Sequence, residues 1–141
     1  MNIDSNLSIT NTGLNNANKA IESNSKTISE LSKTTISNVL YTTYIDETNS
    51  VVNLKKKNNQ VNLGISCKLK SGIGAGQSWT AIFTLPEGFR PKDGEYGSGC
   101  SLNGITCGVN IATDGSVTVN PSKDMTGDFE VIYARLSFYT D

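Results

Sequence analysis

Residues 61–69 read Val61-Asn62-Leu63-Gly64-Ile65-Ser66-Cys67-Lys68-Leu69. Every second position is apolar, and each position between is polar or glycine. A β-strand points successive side chains to opposite faces, so this period of two describes a strand with one face in a core and one in water. On a helix the same period would scatter the apolar groups around the whole circumference. The pattern recurs outward from this stretch. Ile105, Cys107, Val109 and Ile111 alternate, and Val117 and Val119 follow Asp114-Gly115, a two-residue hairpin signal. Trp79, Ala81, Phe83 and Leu85 alternate as well, which predicts Trp79 as a core residue rather than a sugar-stacking platform, with Ile82 on the other face.

Residues 39–45 and 50–55 read as two more strands, with Asn58-Asn59 as a turn. Residues 129–139 are apolar on both faces. Phe129, Val131, Tyr133 and Tyr139 lie on one, and Ile132, Ala134, Leu136 and Phe138 on the other. A strand buried on both faces must be covered twice, and in a domain this small the second cover is predicted to be a neighbouring copy. About seven or eight short strands with no helical segment between them predict an antiparallel β-sandwich, jelly-roll-like, over residues 41–141.

Residues 1–40 have different chemistry. Every Trp, Tyr, Phe and Pro lies beyond them, as does every glycine but Gly13, and half of their positions are Asn, Ser or Thr. Leu7, Leu14, Ile21 and Ile28 recur at heptad spacing, and Ile3, Thr10, Ala17, Asn24 and Leu31 form a second heptad series. This is the two-position seam of a coiled coil. Thr35 and Asn38 continue it weakly and Ile36 falls out of phase, so the helix is predicted to end there. Gly13 suggests a late start, with Asn11 or Thr12 as cap. Poor helix formers make a poor isolated helix, and the seam is too narrow for docking on a globular core. Self-association follows, with Leu14, Ala17, Ile21, Asn24, Ile28 and Leu31 at the seam.

Composition limits the chemistry. A formal net charge of -1 in 141 residues gives no electrostatic case for nucleic acid or an anionic membrane, and Lys55-Lys56-Lys57 reads as a solvated strand end. No run approaches the roughly 20 apolar residues of a membrane span. The polar start Met1-Asn2-Ile3-Asp4 does not read as a signal peptide, so work outside a cell needs another exit, such as lysis. With no histidine, the commonest general base and metal ligand is missing. The three cysteines, Cys67, Cys100 and Cys107, form no zinc or disulfide pattern, and buried free thiols are expected at Cys67 and Cys107. Gly72-Ile73-Gly74-Ala75-Gly76 leads into a strand and is a surface turn, not a phosphate cradle. The acidic groups Asp46 with Glu47, Asp93 with Glu95, Asp114, and Asp124 with Asp128 all sit in turn-like segments. No catalytic residue, cofactor or metal is expected. Arg90, Lys92, Asp93 and Tyr96 share an aperiodic segment on a β scaffold, where recognition usually sits, and they are the candidate ligand-binding residues.

The stretch Leu85-Pro86-Glu87-Gly88-Phe89-Arg90-Pro91 resembles a turn common in the C-terminal domains of bacteriophage tail-fibre and baseplate receptor-binding proteins. Pro86 presets φ, Gly88 can take a positive φ, and Pro91 ends pairing. The resemblance implies a homotrimer, adhesion to a bacterial surface receptor (usually a cell-wall or surface saccharide), contacts with other tail or baseplate proteins, and no catalysis. It also implies a place in the virion, with assembly in the bacterial cytoplasm and release by lysis. A structural fibre or baseplate adaptor is the alternative, and a surface polysaccharide depolymerase a more remote one.

Overall fold

The computed structural model describes residues 3–31, 34–35, 39–76, 78–127 and 129–141. The chain divides into two compact units, Met1–Lys33 and Thr34–Asp141. The composition change near residue 40 thus falls a few residues inside the second unit. The start at Met1-Asn2 and the fading heptad at Ile36 and Asn38 lie outside the described residues.

The first unit is one helix, α1 (Ile3–Leu31). It runs through Gly13 instead of starting after it. Thr12 is not a cap: its hydroxyl donates back to the Ser8 carbonyl at 3.0 Å, and Thr10 and Thr27 do the same to Asn6 and Ser23. Hydroxyls bonded one turn back are spent inside the helix, and the chain tolerates an interior glycine at about 1 kcal/mol. Leu7, Leu14, Ile21 and Ile28 form an apolar stripe that is exposed along its length, Leu14 by 59%. Ala17 and Asn24 are exposed too, and the Leu31 side chain lies outside the described residues.

The second unit contains β1 (Thr34–Thr35), β2 (Leu40–Tyr41), β3 (Val51–Lys57), β4 (Gln60–Lys68), β5 (Thr80–Thr84), β6 (Glu95–Ser101), β7 (Thr106–Ile111), β8 (Ser116–Pro121) and β9 (Val131–Tyr139). Thr35 therefore does not extend the heptads, because it pairs with Leu54 of β3. The strands hydrogen-bond in the order β1-β3-β4-β9-β6-β7-β8-β5-β2, every pairing antiparallel. The expected sandwich is, in its pairing, one continuous sheet. Leu54, Leu63, Phe83, Val109, Val117, Ile132 and Phe138 come from strands along its width yet join a single buried cluster. A sheet can bring such distant strands to one core only by curling around it.

Two local readings change. First, β6 covers Glu95 and Tyr96 and continues to Ser101, although its sequence shows no apolar alternation. Its inward positions include Gly97 and Gly99. A Cβ on Gly97 would sit 2.6 Å from Leu136 Cδ2, and one on Gly99 would sit 2.6 Å from the Tyr133 carbonyl. Strand β9 thus supplies the bulk that β6 lacks. Second, β5 carries a register shift between Ala81 and Phe83. Ile82 and Phe83 are both buried, so the parity flips at the bulge and Ala81 and Trp79 point outward. Strand β9 keeps its expected two faces, and among the described residues only one of them is buried. Ile132, Ala134 and Phe138 are inside, whereas Tyr133 and Tyr139 are exposed.

The bulge makes a measurable prediction. Ile82→Ala should cost about 2–5 kcal/mol in denaturant unfolding, as cavity-forming changes do. An effect within about 0.5 kcal/mol, the range of surface positions, would restore the unbroken alternation and place Ile82 outside.

Candidate functional site

With the inner face filled, a binding site must be built on the outer face or in the turns. The turn at residues 85–91 is closed by Leu85 N–H to the Gly115 carbonyl (2.8 Å) and Phe89 N–H to the Pro86 carbonyl (3.2 Å). Gly88 has φ +84, as its place in the turn requires. Arg90 Nε donates to the Leu85 carbonyl at 3.2 Å, and a Cβ on Gly115 would lie only 2.9 Å from Arg90 Cγ. Lys56 Nζ donates to the Gly88 carbonyl at 2.8 Å. Arg90 is thus half-buried and braces the turn.

The other candidate residues have different neighbours. Lys92 and Asp93 are exposed, and Lys92 N–H donates to the Tyr139 carbonyl at 2.9 Å. Tyr96 is 74% exposed on β6. Its ring meets Trp79 edge-on, with centroids 6.4 Å apart and planes at 69°. Trp79 is not in the core, because the bulge in β5 turns it outward, and it is 42% exposed. Its indole lies over Gly108 of β7: a Cβ there would be 2.8 Å from Cη2. Two registered rows carry the pair. Tyr96, Asn110, Thr118 and Ala81 form one, and Ser98, Gly108 and Asn120 lie beside it. The Thr118 hydroxyl is buried and unpaired among the described residues.

A second region lies on β3, β4 and β9. Asn53, Gly64 and Arg135 are in register, and a Cβ on Gly64 would meet nothing closer than Asn53 at 3.6 Å. Gly64 lines a groove of about 560 Å³, also lined by Ser66, Tyr133 and Cys100. Val51, Leu102, Phe129, Tyr133 and Tyr139 are exposed apolar groups of this unit, Phe129 by 81% and with φ +91. The sequence nominated β9 for its two apolar faces, but the Gly64 gap had no signal beyond the glycine itself.

The acidic residues act locally. Asp46 accepts from Asn49 Nδ2 at 2.8 Å and lies 3.9 Å from Lys68 Nζ. The Asn49 bond, more than Lys68, holds its carboxyl below the usual range. Asp114 accepts from the Ser116 N–H and hydroxyl at 2.8 and 2.7 Å, and those bonds hold its carboxyl down. Asp124 accepts from the Ala75 N–H at 2.7 Å. Asp128 lies outside the described residues. Among the described residues no three His, Cys, Asp or Glu side chains gather as a metal cluster, and no helix is long and apolar enough to cross a membrane.

No family model matches the sequence, and no curated protein matches it either. The fold, however, is similar to solved phage structures. One is the head domain of lactococcal phage bIL170, from a study of lactococcal receptor-binding domains. It has a TM-score of 0.62 at 14% identity and covers 78% of this chain and 99% of its own. Another is the receptor-binding protein of Listeria phage PSA, with a TM-score of 0.63 at 11% identity, covering 99% of this chain and 89% of its own. The structural neighbours are thus phage receptor-binding proteins, the class that the turn at residues 85–91 resembles.

The cysteines test the assignment of inside and outside. Cys67 is buried, which pushes its thiol up to about 12; burial also pushes Cys107 up, and Cys100 is exposed. Thiolate is the reactive form. At pH 8, DTNB should titrate Cys100 alone in the native chain and all three thiols after unfolding; rapid native reaction of Cys67 or Cys107 would contradict the parity described.

Proposed function

We propose that this chain is the receptor-binding tip of a phage tail fibre or baseplate, attaching the virion to a saccharide of a bacterial cell surface. The observation that carries the reading is the likeness of its fold to two phage receptor-binding proteins at TM-scores above 0.6. In this reading the chain is a binding module and not an enzyme. It is a component of the virion, assembled in the bacterial cytoplasm, released by lysis, and joined to other tail or baseplate proteins.

The working form is a homotrimer. The exposed heptad stripe of α1 supports this, because each Leu or Ile side chain taken from water contributes about 1.5–3 kcal/mol. So does the uncovered outer face of β9, with Tyr133 and Tyr139 waiting for a neighbour. Three α1 helices form the coiled coil, with Asn24 fixing its register. Three sheets then display three copies of each site, and several fibres per particle multiply a weak contact by avidity. Within the segment first nominated, Lys92, Asp93 and Tyr96 face a receptor, while Arg90 supports them through the turn.

Labelled full-length chain should bind saturably to particular bacterial strains and lose that binding when surface polysaccharide is stripped. Binding to virion proteins but to no cell would instead favour the adaptor. In solution the chain should sediment at three chain masses. Leu14→Asp with Ile21→Asp should reduce it to single chains, and a stable native single chain before any substitution would rule out the trimer.

A further inference from the structure

The outer face of β5, β6, β7 and β8 differs from the rest of the surface in one respect. Around Trp79 and Tyr96, the registered positions Ser98, Asn110, Thr118 and Asn120 are all polar and all uncharged. On the other part of the sheet Arg135 lines the groove over Gly64, and Lys55 lines a neighbouring hollow. Gly108 has no left-handed φ, so it is not a glycine for backbone reasons. It is a glycine for room, since any side chain there would lift the indole.

We propose that Trp79 and Tyr96, seated over Gly108, form a platform for a neutral sugar ring. The proposal deepens the receptor-binding reading and rests on it for its biological meaning. A pyranose has one face of C–H groups and a rim of hydroxyls. The exposed indole, held edge-on by Tyr96, offers the flat apolar surface for the first. The side-chain amides of Asn110 and Asn120 make no hydrogen bond among the described residues, and their places beside Gly108 in the registered rows make them the donors and acceptors for the second. Neither row carries a charge, so the platform itself offers no counter-charge to offset the desolvation of a phosphate or carboxylate, and it favours a neutral ligand over an anionic one. The site is shallow, which suits a contact strengthened by several copies.

Trp79 is the only tryptophan, so its emission reports on this site alone. The test titrates the intact chain with methyl glycosides of glucose, galactose, rhamnose and N-acetylglucosamine, and with glucose 6-phosphate as the anionic comparison. At least one neutral glycoside should shift the emission saturably, and the phosphate should not. Gly108→Ala, which moves the ring tip without touching the backbone path, and Tyr96→Ala should each weaken that glycoside about tenfold or more with the melting temperature kept. On cells, Trp79→Ala should lose the binding shown by the unaltered chain. Equal cell binding by Trp79→Ala overturns the platform and leaves the receptor reading intact. A response to the phosphate alone, or none to any neutral glycoside, overturns the ligand class. Saturable glycoside binding by a chain that attaches to no cell supports the platform and removes the receptor reading.

Discussion

A strand offers its side chains alternately to two environments, and in this sheet the inner one is a single apolar core. Among the described residues nine strands contribute to one hydrogen-bonded sheet, and the core residues from its distant strands meet. That enclosure leaves little freedom inside. Where β9 inserts Leu136 and Ala134, β6 must answer with Gly97 and Gly99, because no space remains for a Cβ. On the outer face the same demand arises where Trp79 meets Gly108. Elsewhere it is less constrained, and both candidate regions lie there.

Much of the sheet is legible in the sequence alone. The stretch 61–69 is β4 almost to the residue, and the alternations in β7 and β8 and the Asp114-Gly115 hairpin all appear where the sequence places them. These segments obey period two because each has its own apolar face. Strand β6 was not legible for the opposite reason: its inward face is two glycines, and its apolar complement is written in β9. The helix was legible as a heptad pattern. Its start was misread because Gly13 and Thr12 resemble a cap, until the Thr12 hydroxyl is seen bonded to Ser8.

The proposed site is half legible in the sequence. Tyr96 was nominated from an aperiodic segment, and it does stand on the outer face. Its companion was assigned to the core, because Trp79 continues the alternation of Phe83 and Leu85. One extra residue in β5 reverses that parity. The adjacent pair Ile82-Phe83, two large apolar residues in succession, was the only sign of it. Arg90 was nominated with Tyr96 by proximity in sequence, but its guanidinium closes the turn that the phage resemblance singled out. The motif that points to the class therefore builds scaffold, while the aromatic pair of Trp79 and Tyr96 carries the recognition proposed above.

The account depends on which side of the sheet Trp79 occupies. Acrylamide quenching of the single indole measures this directly in the native protein. An outward Trp79 predicts substantial quenching before unfolding, with only a modest further increase in denaturant. Emission that resists acrylamide until the chain unfolds would place the indole in the core, remove the bulge, and leave the outer face without its aromatic platform.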